Sequence, residues 1–126
     1  MLVSPADLVA KAKASIAECS VRDVHACMTP NTLLIDIREP AEYQRGHIPQ
    51  AALVPRGLLE FEIHGVVERH AHSRGIVNAD APIILYCGTG GRSALAAKSI
   101  QDMGYNNVRS MAGGIVAWSE AGLPLE

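Results

Sequence analysis

The stretch "IILYCGTGGRSALAA", residues 83–97, decides how the rest of the chain is read. An apolar run ends in Cys87, and glycine fills three of the next four positions, Gly88, Gly90 and Gly91. Arg92 and Ser93 follow, and Ala96, Ile100 and Met103 then recur at helical spacing until Gly104 supplies a stop. A short apolar strand that turns through glycines into a helix is one βα step of a buried parallel sheet.

Working outward, "TLLIDI" (32–37), "AALVP" (51–55) and "NNVRSM" (106–111) read as further short strands. "SPADLVAKAKASIAE" (4–18) predicts a helix with Ser4 as N-cap, Pro5 at its first position, and Leu8, Ala12 and Ile16 on one face. "VRDVHACM" (21–28) predicts a shorter helix, "EPAEYQRG" (39–46) a helical turn closed by Gly46, and "IVAWSEAG" (115–122) a last helix. Residues 57–78 predict one or two short helices joined by loop. Strands alternating with helices give an α/β fold with a parallel sheet covered on both faces. The expected organisation is an N-terminal helix, residues 1–19, packed on a domain formed by residues 20–126.

Composition narrows the function. A chain of 126 residues, 48% of them hydrophobic, can bury a self-sufficient core, and at 4% aromatic that core is mainly aliphatic. A net charge of -2 speaks against general binding to nucleic acid or anionic membrane. Three cysteines at irregular spacing, Cys19, Cys27 and Cys87, form neither a disulfide framework nor a zinc site. "MLVSPADLVAKAKA" lacks the basic and apolar regions of a secretory signal, so a reducing cytoplasmic setting is expected.

In a parallel sheet, ligands bind beyond the carboxyl ends of the strands, which is where Cys87 should sit. Glycines leave backbone N–H groups uncovered, and successive N–H groups turned inward make a nest for an anion. The positive end of the following helix adds to it, so the loop favours thiolate over thiol. Cys19 and Cys27 read instead as small packing residues, and either acts as a resolving thiol only if the fold brings it to Cys87.

"CGTGGRS" (87–93) resembles the active-site loop of single-domain rhodaneses, Cys-x-x-Gly-x-Arg-Ser. "LLIDIREPAEYQRGHIPQA" (33–51) is similar to the family's N-terminal signature and "MAGGIVAWSEAGLPLE" (111–126) to its C-terminal one. Gln50 departs from the pattern, which commonly has glycine there. The resemblance implies a rhodanese-like three-layer fold with a central parallel sheet of about five strands flanked by helices. It also implies a sulfurtransferase that needs no cofactor or metal. Cys87 would be the nucleophile and would cycle through a persulfide. The amides of Gly88, Thr89, Gly90, Gly91, Arg92 and Ser93 would cradle the outer sulfur. Arg92 would orient a small anionic donor such as thiosulfate, and Ser93 would add a hydroxyl hydrogen bond. The acceptor would be cyanide, a thiol or a thioredoxin-like protein. Asp36, Arg38, Glu42 and His47 read as structural, with Asp36 and Arg38 pinning the adjoining turn. Arg56 is a candidate second anion-binding group, and Trp118 an anchor for the last helix.

Rival readings are weaker. Phosphatases and arsenate reductases of similar fold resemble Cys-x5-Arg, whereas Arg92 stands one place earlier, in a loop that suits one sulfur better than a phosphate. "GTGGRS" lacks the Lys-Ser/Thr of a P-loop, and no acidic residue follows about 20 positions on, as a dinucleotide site needs. His70 and His72 are spaced wrongly to share a helical face and read as surface residues. A rhodanese-like binding or regulatory module is the remaining alternative.

Overall fold

A computed structural model describes all residues, Met1–Glu126. The sheet has five strands, β1 Ala17–Cys19, β2 Leu33–Asp36, β3 Ala52–Leu53, β4 Ile83–Tyr86 and β5 Val108–Met111, in the order β1-β5-β4-β2-β3. Every pairing is parallel, and Asp36 lies beside Tyr86 in the β2–β4 register. The helices are α1 Pro5–Lys13, α2 Val21–Cys27, α3 Pro40–Gln44, α4 Leu59–His70, α5 Gly91–Asp102 and α6 Gly114–Glu120. This is the three-layer α/β arrangement expected from the sequence.

Strand alternation divides the core. On one face Leu33, Ile35, Ile83, Leu85 and Cys87 pack under Leu59, Ile63 and Val67 of α4 and Ala96, Ala97 and Ile100 of α5. On the other, Cys19, Leu34, Ile84, Tyr86 and Met111 pack under Val24 of α2 and Trp118 of α6. Trp118 is the anchor expected, its indole N–H donating to the carbonyl of Pro124 at 2.8 Å. No helix is long and apolar enough to cross a membrane.

Two local readings change, the extent of the N-terminal helix and its buried face. The N-terminal helix begins as expected, with Ser4 Oγ accepting from the Asp7 N–H at 3.0 Å, but it ends at Lys13. Residues 17–19 are an edge strand paired with β5, so the sheet reaches into the segment assigned to an N-terminal helix. A three-residue apolar-poor edge strand carries no periodic signal. The buried face of α1 holds Ala12, whereas Leu8 is exposed, and α1 lies against α5. Residues 57–78 contain one three-turn helix, α4, preceded by a tight 3-10 turn Arg56–Leu58.

Gln50, the departure from the family pattern, adopts φ +73°, a left-handed conformation that glycine accepts at no steric cost. The family's preference for glycine there therefore has a backbone cause.

Candidate active site

β2 and β4 are neighbours, yet the chain leaves β2 toward β3 at one edge of the sheet and leaves β4 toward β5 on the other side. Such a reversal opens a crevice at the carboxyl ends of the two strands. Cys87 follows the last residue of β4 and stands in that place.

The loop folds back over its own sulfur. Gly90 caps α5 with φ +104°, and this turn aims two backbone N–H groups at Cys87 Sγ, from Gly90 at 3.2 Å and from Ser93 at 3.3 Å. The geometry suits a negatively charged sulfur. The N–H groups of Thr89, Gly91 and Arg92 have no acceptor within the protein. Ser93 Oγ lies 3.5 Å from Sγ and shares a 2.8 Å hydrogen bond with Ser110 Oγ of β5, so a buried hydroxyl pair backs the thiol. Cys87 itself is only 1% exposed. Thr89 and Arg92 are the exposed residues of the loop.

The loop is held from behind by α6. The N–H groups of Ile115 and Val116 donate to the carbonyls of Cys87 and Gly88 at 2.9 and 3.1 Å. This close approach needs Gly114, whose φ is +60° and whose missing Cβ would fall 2.6 Å from the Cys87 carbonyl oxygen. The second glycine of the pair in the C-terminal signature thus has its reason in the cysteine loop, while a Cβ at the first, Gly113, would meet Ala117 of α6.

Arg92 does not point freely outward. Its two terminal nitrogens donate to the two carboxylate oxygens of Glu42 at 2.9 and 3.1 Å, and the guanidinium lies against Gly88. Glu42 Oε1 also accepts the Glu39 N–H at 3.0 Å, so the carboxylate is fixed by α3 as well. The hydrogen bond from Arg92, helped by that backbone N–H, pulls the Glu42 carboxyl down to about 2. Because the folded value is depressed, the pair stabilises the native state above the ordinary carboxylate range and ceases to do so as pH falls toward about 2. Glu42→Gln is therefore expected to cost about 0.5–1 kcal/mol near neutrality, the modest figure for a half-exposed bidentate pair. Urea denaturation of both proteins should show that difference shrinking between the ordinary carboxylate range and the lowest pH at which both fold.

Asp36 and Arg38 form a buried ion pair with Nη2 at 2.7 Å from Oδ2 across the turn at the end of β2, as expected, and Arg38 Nη2 also donates to the Gly46 carbonyl at 2.8 Å, which ties in the turn after α3. Arg56 is turned to Glu60, 2.7 Å away, so its charge is already paired. His47 exchanges two backbone hydrogen bonds with Glu126, tying down the C-terminal tail. Cys27 is exposed on α2, contrary to the packing role expected of it. Cys19 is buried and its thiol is pushed up by that burial. It faces the opposite side of the sheet from Cys87, with β5 between their strands. Two strand spacings are about 9–10 Å, beyond disulfide reach, so Cys19 is no resolving thiol.

Sequence reasoning did not find the parts played by Glu42 and Ser110. Glu42 stood within a recognised signature, but its partner lies 50 positions away. Ser110 had only its place in a short strand to mark it.

The Rhodanese-like domain family matches residues 20–121. A sulfurtransferase from Allochromatium vinosum is 34% identical over 97 residues, covering 77% of this chain and 80% of that protein. A solved structure from Rhodopseudomonas palustris, of unknown function and described as a possible tyrosine phosphatase, is 35% identical with a TM-score of 0.84, covering 100% of this chain and 96% of that one. The polysulfide-sulfur transferase homodimer of Wolinella succinogenes is 30% identical with a TM-score of 0.73, covering 94% of this chain and 84% of that one.

Proposed function

The chain belongs to the rhodanese-like family, and from that premise we propose that it moves a sulfane sulfur from a small donor to a thiophilic acceptor through a persulfide on Cys87. The observation that carries this reading is the aim of two backbone N–H groups at the Cys87 sulfur, at the carboxyl end of the central strand. A cysteine that merely filled space would need neither them nor a glycine loop.

In the forward half-reaction Sγ attacks the outer sulfur of the donor. With thiosulfate, the bond between outer sulfur and sulfonate breaks, its electron pair leaves with sulfite, and Cys87 holds the transferred sulfur. Gly90 and Ser93 N–H groups stay on Sγ, while those of Thr89, Gly91 and Arg92 are the donors available to the outer sulfur. Thr89 and the glycine backbone of the rim must give way to admit the donor, since Cys87 is 1% exposed. A thiol, cyanide or thioredoxin-like acceptor then attacks the bound sulfur and restores the thiolate. Three free cysteines agree with a reducing, cytoplasmic setting.

The phosphatase description of the R. palustris structure has less support from this loop. Arg92 comes five places after Cys87, and both its terminal nitrogens are committed to Glu42. Its guanidinium is therefore not presented as a phosphate clamp.

Mass spectrometry of protein incubated with thiosulfate or an alkyl persulfide tests the proposal. One added sulfur atom on Cys87, removed again by cyanide or a thiol, is the expected result. A protein that takes up no sulfur from either donor would be a binding module.

A further inference from the structure

We propose that Ser110 of β5 is a positioning residue for sulfur transfer: its hydroxyl donates to Ser93 Oγ and so leaves the Ser93 proton for the Cys87 sulfur. The inference rests on the sulfurtransferase reading above and adds a residue to its machinery.

Each hydroxyl has one proton to place. Ser93 and Ser110 are both fully buried, so both protons must be placed within the protein. Ser93 Oγ stands 2.8 Å from Ser110 Oγ, 3.3 Å from the Gly90 carbonyl oxygen and 3.5 Å from Cys87 Sγ. Ser110 Oγ has a single partner, Ser93 Oγ. Were Ser93 to donate to Ser110, the Ser110 proton would be left in the core without an acceptor, a loss that buried hydroxyls avoid. Ser110 therefore donates and Ser93 accepts. The Ser93 proton is left for the carbonyl or the sulfur.

The charge on sulfur decides between those two. With Cys87 a thiol, its S–H donates to Ser93 Oγ, and Ser93 donates to the Gly90 carbonyl. With Cys87 a thiolate, sulfur is the stronger acceptor, and the Gly90 carbonyl keeps the Ala94 N–H at 3.2 Å. Sγ then has three donors, the N–H groups of Gly90 and Ser93 and the Ser93 O–H. Donation from Ser110 polarises that O–H and strengthens its bond to sulfur.

The effect tells when sulfur is handed on. A thiolate acceptor attacks the outer sulfur of Cys87–S–SH, the S–S bond breaks, and its electron pair stays on Sγ. The proton departs with the transferred sulfur as R–S–SH. One negative charge enters on the acceptor and ends on Sγ, where the three donors meet it. Other charged or titratable groups face this cluster as well. Arg92 faces Sγ from the rim, with Glu42 behind it. Glu18 of β1 is level with Ser110 and is paired with Lys13 at 3.9 Å. The Cys19 thiol lies 3.8 Å from the Ser110 carbonyl, with Arg109 close by. Substitution at position 110 alters none of them, so they cancel in a comparison with native protein.

Alkylation of Cys87 by iodoacetamide, followed by peptide mass spectrometry at pH 6 and pH 10, tests the idea in native protein, Ser110→Ala, Ser93→Ala and the double variant. Ser110→Ala is expected to slow alkylation about threefold at pH 6, the scale of polarisation along a hydrogen-bond chain. At pH 10, where hydroxide ionises the thiol in either protein, the two rates should match. Single-turnover release of sulfur from loaded Cys87 to a thiol should fall by a similar factor. In the Ser93→Ala background the change at position 110 should have no further effect. An unchanged rate at pH 6, an equal slowing at both pH values, an unchanged release, or a slowing that survives Ser93→Ala overturns the role given to Ser110. Each of these leaves the sulfurtransferase reading standing. If native Cys87 takes up no sulfur from thiosulfate or an alkyl persulfide, that reading falls and with it a role in sulfur transfer, while alkylation still shows whether Ser110 acts through Ser93.

Discussion

Cys87→Ser is expected to reduce sulfur transfer by at least about 10³-fold while leaving the fold in place. A hydroxyl can accept the N–H groups of Gly90 and Ser93 that now reach Sγ at 3.2 and 3.3 Å, so the loop keeps its internal hydrogen bonds. Serine also nearly preserves volume, which matters for a residue packed among Ile35, Leu85 and Ala97. What it cannot do is carry sulfur as a persulfide. Paired measurements decide the case: turnover with a persulfide donor, and the urea midpoint. Lost turnover with a midpoint within about 1 kcal/mol of native marks Cys87 as the nucleophile. A large loss of stability with partial turnover retained would mark it as a core residue and move the chemistry elsewhere. Cys27→Ser, at an exposed site on α2, is the matching control and should change neither quantity.

How much of this could be read from the chain depends on the range over which each feature is encoded. β4 and α5 were legible because strand, glycine turn and helix lie within 20 consecutive residues, 83–102. The Asp36–Arg38 pair was legible for the same reason, its partners standing two apart at a strand end. β1 was not: Ala17–Cys19 becomes a strand only by pairing with β5, some 90 residues later, and its own pattern has one buried residue of three. The surroundings of Arg92 were legible only in part. Its position in the loop is local and was plain, but its neutralisation comes from α3, across the crevice. Charge state at a site is a tertiary property, and a motif alone overstates the cation it contains. The same limit hid Ser110, whose hydroxyl matters because β5 lies beside β4 and Ser93 reaches across from α5.

Gly114→Ala is expected to lower stability by about 3 kcal/mol and to spoil the cysteine loop in whatever fraction still folds. Two costs combine. Alanine at φ +60° pays the left-handed backbone penalty, about 1 kcal/mol. The larger cost is steric, because the new Cβ would lie 2.5 Å from the Gly88 carbonyl carbon and 2.6 Å from the Cys87 carbonyl oxygen. Those contacts are backbone, so no side chain can rotate aside; α6 must withdraw, and overpacking of this kind costs about 1–3 kcal/mol. Withdrawal also breaks the donations from Ile115 and Val116 to the Cys87 and Gly88 carbonyls, which hold the loop over its sulfur. Gly122→Ala separates the two contributions. Gly122 has φ +74°, close to that of Gly114, but a Cβ there meets nothing within 4 Å. Its substitution should therefore cost only the backbone share, about 1 kcal/mol, with sulfur loading of Cys87 intact. Equal midpoints for the two variants would mean that α6 does not press on the loop. A deficit for Gly114→Ala in both midpoint and loading would place Gly114 of the C-terminal signature in the service of position 87.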